Sequence, residues 1–423
     1  MKRKFAILLS AMLLMQMVCG CGGTASSSTS SASASTGSTA NKSSEKAVIV
    51  TDEQDFTHEN GITRLAKEIY GDLNVEFFVL SEDTQERETQ ISSLRVEIMA
   101  GGGPDGYLFS SPTSNMTFNG EGHPAALFPD VQRTMQSGAF LPLDDYIKES
   151  EYLRPEDHFA PVFDAGKTDE GQVVLPITYY ASVFLLDKAQ LADPDFTPKT
   201  WDELVNCEDT AGLKAVRSCL YYWCGAGIPR IADYVTEKTI LTEENLTAQF
   251  EDLLAMPASE SFDEETALIQ SGSYAQTDEG IAYYAQNKDT VNALAIPNTE
   301  GGVTAFITSY AAINRNSQKA DEVFRFFELL FSDEAQIDTE TVNDARGTLL
   351  MLGKLNGFLT HKNAYLQPEL LESVQSRVNA VRFYSVMDYT IYDTATTLTW
   401  EENPDCAAAA HSVIEALQTR LSE

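Results

Sequence analysis

The chain has 423 residues, and 43% of them are hydrophobic, an ordinary share for a globular protein large enough for more than one lobe. Its formal net charge is −34, because 63 acidic residues outnumber 29 Lys and Arg residues. A chain this acidic is a poor partner for nucleic acid, since phosphate binding needs basic surface. The charge is compatible with an acidic cleft for a cationic ligand or with a solvated surface.

The N-terminus is typical of an export signal. Basic residues at positions 2–4 precede an apolar run from Phe5 to Val18, which is too short to span a membrane. The run ends in CGC, residues 19–21, which resembles the lipobox of bacterial lipoproteins with Cys21 as the lipidated residue. Residues 1–20 are thus predicted to be a lipoprotein signal peptide, with an ordinary secretory signal as the alternative.

Residues 22–46 consist largely of Ser, Thr, Ala and Gly, with too little apolar surface to fold. We therefore expect residues 21–46 to be a flexible tether that begins at the lipidated Cys21. No later stretch reaches the apolar length of a transmembrane helix, so the lipid is the expected anchor. The predicted location is the outer face of the bacterial cell membrane.

The folded body opens with alternating strand and helix patterns. Strands are predicted at AVIV (47–50), NVEFFVL (74–80) and YLF (107–109), and helices at ITRLAKEIYG (62–71) and around residues 91–99. This β-α-β-α-β order predicts a parallel sheet flanked by helices, an α/β fold. Ligands of such sheets bind beyond the carboxyl ends of the strands, so the loops after the first and third strands are predicted to face the site.

Gly101, Gly103 and Gly106 have the G-x-G-x-x-G spacing of dinucleotide-binding turns. A phosphate-binding turn must follow a strand and open a helix, where unpaired N–H groups meet the phosphates. Here the glycines follow a helical pattern and precede a strand. They are therefore predicted to end a helix, with Gly101 as a left-handed cap.

Later segments, in their order along the chain, resemble the extracellular solute-binding proteins of ABC importers, in the group of maltose-binding-protein-like sugar receptors. The segments are FLPLDDYI (140–147), GQVVLPITYYASVFLLDKAQL (171–191), TPKTWDELV (197–205), SGSYAQTDEGIAYYAQN (271–287) and AIPNTEGGVTAFITSYAAINRNSQKADEVFRFFELLFSDEAQ (295–336). The resemblance implies a two-lobed periplasmic-binding-protein-like fold of type II, with a ligand cleft between the lobes. Lobe 1 would hold residues 47–177 with a return segment 311–355, and lobe 2 residues 178–310 with C-terminal helices 356–423.

The same resemblance implies a monomeric receptor that captures a small solute, with a carbohydrate or oligosaccharide expected, and delivers it to the permease subunits of an ABC transporter. No cofactor or metal is expected, and no enzyme activity. Consistent with this, the sequence has no G-x-S-x-G or H-E-x-x-H motif, and its five His residues are scattered. Two alternatives stay open: a receptor for a cationic solute such as a polyamine, and a secreted carbohydrate-active hydrolase.

Sugars present flat C–H faces and many hydroxyls, so aromatic platforms with a few polar groups are expected in the cleft. Trp223, in LYYWCG, is the leading candidate by resemblance. In ITYYAS one of two adjacent tyrosines should face the cleft and the other the interior, and Tyr180 is the one expected in the cleft. Tyr283 and Tyr284 are further candidates, with packing beneath the lobe as the alternative.

Further candidate contacts lie near the predicted strand ends: Asp52, Glu53, Asp55, Phe109, Ser111, Ser309 and Tyr310. The alternative is that these side chains are solvated on the surface or packed in the interior and do not contact the solute. Trp201 is interpreted as structural, because Thr200 is a plausible N-cap before it. The body has four cysteines, which in an exported protein allow up to two disulfides in any of three pairings: Cys207, Cys219, Cys224 and Cys406.

Overall fold

The computed structural model describes residues 46–110, 126–207, 224–255, 278–337, 344–352, 357–365 and 368–422, together with Leu213, Val216 and Leu220. The predicted signal peptide and nearly all of the tether lie outside these residues, as do Cys21, Ser111, Cys219 and Trp223. Within the described part, no helix has the length and apolarity needed to cross a bilayer.

The first three strands form a parallel sheet. Strand β1 (Ala47–Thr51) lies between β2 (Val75–Val79) and β3 (Gly106–Ser110). Helices Gly61–Tyr70 and Thr84–Met99 connect the strands in turn. The predicted β-α-β-α-β unit is confirmed, because connections between parallel neighbours need such crossover helices.

The glycine-rich turn ends a helix, as its order in the sequence predicts. Gly101 and Gly103 follow the second helix with φ angles of 81° and 92°, which glycine adopts without steric cost. Gly106 opens β3, and a Cβ there would lie 2.6 Å from a methyl carbon of Val323 on helix Ala320–Phe327. The last glycine thus allows close packing of that helix on the sheet.

Further strands in the described residues are β4 (Lys167–Thr168), β5 (Gly171–Gln172), β6 (Val174–Ala181), β7 (Val183–Asp187), β8 (Ala232–Asp233), β9 (Lys238–Thr239), β10 (Val291–Ala295), β11 (Val303–Ile313), β12 (Phe358–Leu359) and β13 (Val378–Phe383). The other α-helices span Val131–Gln136, Asp144–Glu149, Ala160–Asp164, Trp201–Val205, Glu243–Ala255, Asp278–Asn287, Ala320–Phe327, Asp333–Gln336, Asp344–Leu352, Glu369–Gln375, Val386–Trp400 and Cys406–Ser422. The main sheet has the order β12-β6-β11-β3-β1-β2, and β13 pairs with the first half of β11.

Two hydrophobic clusters hold the body together. The first surrounds the main sheet and includes Ile49 and Phe327. The second includes Trp201 and Phe250, and the helix Val386–Trp400 contributes to it. Each cluster is the core of one lobe, so the two-lobed α/β architecture expected from the sequence is confirmed.

The strand run β6–β7 belongs to both clusters. Tyr179 and Ala181 point into the first cluster, whereas Phe184 and Leu186 point into the second. Strand side chains alternate between two faces, so one strand can complete both cores. The lobes are therefore joined through shared strands.

Phe358, Tyr365, Leu370 and Val374 are buried in the first cluster, although the resemblance places residues from 356 onward with the second lobe. The reason is that β12 pairs with β6 at the edge of the main sheet. From Met387 to Leu421 the buried residues join the second cluster. The lobe limits given above stay a prediction.

Candidate functional site

A row of side chains crosses three strands where the two clusters meet. Tyr180 on β6 lies opposite Phe306 on β11, and Phe306 lies opposite Arg382 on β13. The rings of Tyr180 and Phe306 stack with centroids 5.0 Å apart and planes at 16°. The guanidinium carbon of Arg382 lies 4.6 Å from the Phe306 ring centroid, a cation–π distance. Tyr384 follows β13, 5.7 Å from Phe306 by ring centroids, and these four residues are named the aromatic row.

The charge of Arg382 is compensated within the protein. Its guanidinium forms a buried ion pair with Asp388 and donates to the carbonyl oxygens of Gly225 and Ile228 at 3.1 and 3.2 Å. Asp388 also accepts hydrogen bonds from the backbone N–H and the hydroxyl of Ser385, both at 2.9 Å. Buried charges are tolerated when paired in this way. The Nε atom of Arg382 is buried and has no hydrogen-bond partner among the described residues.

A third tyrosine, Tyr234, reaches this region from the turn between β8 and β9. Its ring packs against the second cluster, and burial, followed by the nearby charge of Asp130, raises its pKa. Asp130 caps helix Val131–Gln136 by accepting the backbone N–H of Arg133 at 3.1 Å. Burial raises the pKa of Asp130, and the hydrogen bond from Arg133 opposes that rise.

The three tyrosines Tyr180, Tyr234 and Tyr384 have the character of cleft walls. Each side chain is partly exposed, yet burial is the largest cause that raises the pKa of each. All three side chains pack against the second cluster, and the partly exposed region that they border is called the recess. Rings in such a recess can stack on a flat apolar surface, and their hydroxyls can exchange hydrogen bonds with a ligand.

Strands β3, β6 and β11 also carry small hydroxyl side chains that lie opposite one another. Ser309 on β11 lies opposite Ser110 on β3 and Thr178 on β6, and its Oγ is 2.5 Å from Thr178 Oγ1. The hydroxyl and the backbone N–H of Ser110 donate to Asp52 at 3.0 and 3.1 Å. Arg87 lies 3.8 Å from the same carboxylate. The structure thus links two predicted site residues, Asp52 and Ser309, through Ser110.

Phe109 and Tyr310 lie inside the first cluster, 4% and 2% exposed. Their ring centroids are 6.3 Å apart, and Tyr310 also packs edge-on against Phe383 at 5.6 Å. Burial raises the pKa of Tyr310 well above its usual range. This placement matches the packing alternative, and a ligand contact by either residue stays a prediction.

The remaining predicted contacts are placed apart from the aromatic row or outside the described residues. Glu53 accepts the N–H of Asp55 at 3.3 Å and so caps a short 3-10 helix. Asp55 in turn lies 3.3 Å from His58. Tyr283 and Tyr284 are half-buried on helix Asp278–Asn287 and pack against the first cluster. Ser111 and Trp223 lie outside the described residues.

The sequence patterns above did not single out Tyr234, Tyr384, Arg382 or Asp130. One usable signal was present: an Arg within the otherwise apolar strand pattern AVRF, followed by the capping-box sequence SVMD at 385–388. A charge in a buried strand requires a partner, and Asp388 is that partner. No comparable pattern marks Tyr234.

The structure does not contain the two disulfides that the four body cysteines would allow. Cys224 and Cys406 are free thiols, so two disulfides among the four body cysteines are excluded. Burial raises the pKa of Cys224 to about 12, which keeps this thiol protonated and unreactive. Within the described ranges, no group of three or more His, Cys, Asp or Glu side chains is arranged to hold a metal ion.

The sequence profile of the bacterial extracellular solute-binding proteins matches residues 57–337, more than half of the chain. The chain belongs to this family. A comparison with curated proteins found no match. For a solute-binding protein of this kind, the recess between the two clusters is the expected place for the solute.

Solved structures share the fold of this solute-binding protein. The sugar-binding protein MalE from Xanthomonas citri has a TM-score of 0.57 and 10% identity, covering 89% of this chain and 97% of that chain. An extracellular solute-binding protein family 1 member from Alicyclobacillus acidocaldarius has a TM-score of 0.51 and 11% identity, with coverages of 91% and 100%. The cyclic alpha-maltosyl-1,6-maltose binding protein from Arthrobacter globiformis has a TM-score of 0.50 and 12% identity, with coverages of 89% and 99%. These likenesses show the two-lobed type II fold.

Proposed function

We propose that this solute-binding protein captures an uncharged carbohydrate in the recess between its lobes and delivers it to the permease subunits of an ABC importer. The observation that carries the proposal is the set of three partly exposed tyrosines that pack against the second cluster, Tyr180, Tyr234 and Tyr384. Aromatic rings stack on the C–H faces of sugars, and phenolic hydroxyls bond to sugar hydroxyls. The sugar ligands named for the X. citri and A. globiformis proteins support the same solute class.

A cationic solute such as a polyamine is the second candidate, favoured by the net charge of −34. A polyamine needs carboxylates that are not already neutralised. Near the aromatic row, the carboxylate of Asp388 is neutralised by its ion pair with Arg382. The local balance of charge therefore favours a neutral solute.

We propose further that the protein binds its solute without covalent chemistry. The secreted hydrolase is the competing interpretation, and its test is simple. Purified protein incubated with a panel of oligosaccharides should return them intact, and chromatographic detection of cleavage products would refute the binding-only role.

Anchoring belongs to the proposal as well. Cys21 would carry the lipid, residues 21–46 would act as tether, and the monomeric body would stand at the outer face of the membrane. Replacing Cys21→Ser should move the protein from the membrane fraction to the soluble exported fraction. A variant that stays with the membrane would contradict lipidation at this residue.

Several residues stay proposed solute contacts beside the three tyrosines: Asp52, Glu53, Asp55, Phe109, Ser111, Trp223, Tyr283, Tyr284, Ser309 and Tyr310. Trp223 is the most informative of these to replace. If it is a platform, Trp223→Ala should weaken solute binding and leave the stability of the empty protein nearly unchanged, whereas a core Trp would cost about 3–5 kcal/mol of stability.

The solute class is tested by thermal shift over oligosaccharides, amino acids and polyamines. A solute that binds the native state stabilises it by about 2.7 kcal/mol at a hundredfold excess over Kd. We expect at least one oligosaccharide to raise the melting temperature. If polyamines raise the melting temperature and none of the sugars does, the carbohydrate assignment is wrong.

A further inference from the structure

One end of the body carries two exposed apolar side chains. Val96 and Met99 are 68% and 87% exposed at the C-terminal end of helix Thr84–Met99. Residues three apart lie on the same face of a helix, so these two side chains form one apolar surface, named the exposed pair. Residues 101–103 of the glycine turn follow, and they are exposed and carry no side chains. This end of the body can therefore approach a flat surface closely.

The proposed tether joins the body at the same end. Lys46 directly precedes β1, and its carbonyl oxygen accepts a hydrogen bond of 2.8 Å from Nζ of Lys319. In the loop that leads to Lys319, the side-chain amide of Asn314 donates to the carbonyl oxygens of Gly102 and Pro104 at 2.9 and 2.8 Å. This loop therefore contacts both the tether junction and the glycine turn, so the exposed pair lies near the point where the tether begins.

We propose that this end of the body rests on the membrane surface, with the side chains of Val96 and Met99 inserted into the interfacial layer of the bilayer. The contact would fix which end of the body faces the membrane. In the cell it rests on the proposed anchoring at Cys21. The contact itself needs only a body that is held near a bilayer by residue 46, so it can be tested separately from lipidation and from solute binding.

The proposed tether is what makes so small a contact sufficient. Two apolar side chains alone would not bind a free protein to a bilayer, since even a single myristoyl chain binds only marginally. From Cys21 to Lys46 the chain has about 25 residues, and a flexible chain of that length reaches roughly 25–30 Å. Such a linker holds its two ends at an effective concentration in the millimolar range. A weak apolar contact then gives the anchored body a preferred orientation.

The chain offers a matched control position on the other lobe. Val235 is 68% exposed, as Val96 is, and its neighbour Tyr234 packs against the second cluster. An environment-sensitive dye on a non-native amino acid at either position replaces the same residue type at the same exposure. Met99→Glu places a charge in the exposed pair, and Val235→Glu places one at the control position. All of these changes are on exposed side chains and leave the core intact.

The decisive measurement holds residues 21–423 on vesicles through a hexahistidine tag that replaces the predicted signal peptide and binds a nickel-chelating lipid. The vesicles are phosphatidylcholine, because an anionic surface would repel a chain with a net charge of −34. We expect phosphatidylcholine with brominated acyl chains to quench the dye at Val96 about twofold and to leave the dye at Val235 unquenched. Met99→Glu should abolish the quenching at Val96, and Val235→Glu should leave it unchanged.

Two results would overturn the proposal. Equal quenching of the dyes at Val96 and Val235 would show that this end has no preference for the bilayer. A blue shift of the dye at Val96 that grows with protein density, without quenching by brominated lipid, would show that a second copy of the chain covers the exposed pair. If Cys21→Ser leaves the protein in the membrane fraction, lipidation at Cys21 is refuted, and the vesicle result still decides whether this end contacts the bilayer.

Discussion

Tyr179 and Tyr180 are adjacent on β6, yet they serve two different regions of the molecule. Tyr179 is fully buried in the first cluster, where its hydroxyl accepts a 2.7 Å hydrogen bond from Gln375 and its ring lies 5.6 Å from Phe358 by centroids. Tyr180 stacks on Phe306 and keeps partial exposure in the recess. Strand side chains alternate between faces, so a shift of one residue turns a core side chain into a site side chain.

The same contrast holds for the polar groups of the two regions. In the interior, His158 is fully buried and its Nδ1 is 3.1 Å from the hydroxyl of Thr360. Beneath the recess, Arg382 and Asp388 form a buried ion pair. A buried group with little support must stay neutral, whereas a paired group can stay charged. The interior should therefore respond to acid, and the recess should respond to loss of a partner.

The largest effect should come from the interior tyrosine. Tyr179→Ala removes a fully buried ring from the first cluster, so we expect a loss of about 3–5 kcal/mol in the free energy of unfolding. Urea denaturation monitored by circular dichroism measures it. The control Tyr179→Phe keeps the ring and should cost about 1–2 kcal/mol, because the amide of Gln375 loses its acceptor. A loss below about 1 kcal/mol for the alanine variant would contradict the interior placement.

The next effect tests the pairing of charges in the recess. Asp388→Asn leaves Arg382 as an uncompensated buried charge, and breaking such a pair costs about 3 kcal/mol of stability. Combining it with Arg382→Met removes both charges and should recover much of the loss. Equal stability of the single and double variants in urea denaturation would show that the pair does not act as a unit.

Acid sensitivity should follow from the interior histidine. Burial, the largest cause, lowers the pKa of His158 to about 3. The unfolded chain binds this proton near pH 6.5, so stability is lost as pH falls from 6.5 toward 3, by about 2 kcal/mol at pH 5. Urea denaturation at pH 7 and pH 5 measures the difference. We expect His158→Gln to show a smaller difference, and the same pH dependence in both proteins would contradict this origin.

The smallest effect on stability should come from the tyrosine in the recess. Tyr180→Ala loses the stacking on Phe306 and should cost about 1 kcal/mol in the free energy of unfolding. If Tyr180 is a solute platform, Kd should rise about fivefold to tenfold, which calorimetry with a bound oligosaccharide would measure. If Tyr180→Ala loses as much stability as Tyr179→Ala and its affinity is unchanged, Tyr180 is a core residue like Tyr179 and not a solute platform.

Local patterns predicted the parts of the fold that depend on neighbours in sequence. The first three strands and their helices follow from apolar spacing, and Gly101 ends its helix because only glycine adopts its φ of 81° at little cost. Thr200 caps the helix of Trp201 through the N–H of Glu203 at 3.2 Å. Trp201 is 3% exposed, as its structural interpretation required.

The site was predicted less completely. Alternation along β6 predicted that the two tyrosines point in opposite directions, and Tyr179 lies in the first cluster whereas Tyr180 packs against the second. Phe109 was also a proposed contact because it follows the glycine turn, and Tyr310 because its strand approaches the crossing between the lobes, but both are buried. Strand position alone does not reveal which face another element covers, because that depends on packing between distant segments.

By itself, the sequence determined the α/β class, the end of the second helix at the glycine turn and the opposed directions of Tyr179 and Tyr180, because each depends on residues a few positions apart. Only the tertiary structure brought Tyr180, Phe306 and Arg382 into one row. These contacts join residues that are far apart in the chain, and strand register sets the row. The register of β11 shifts at Ser309 in a way that no local pattern signals.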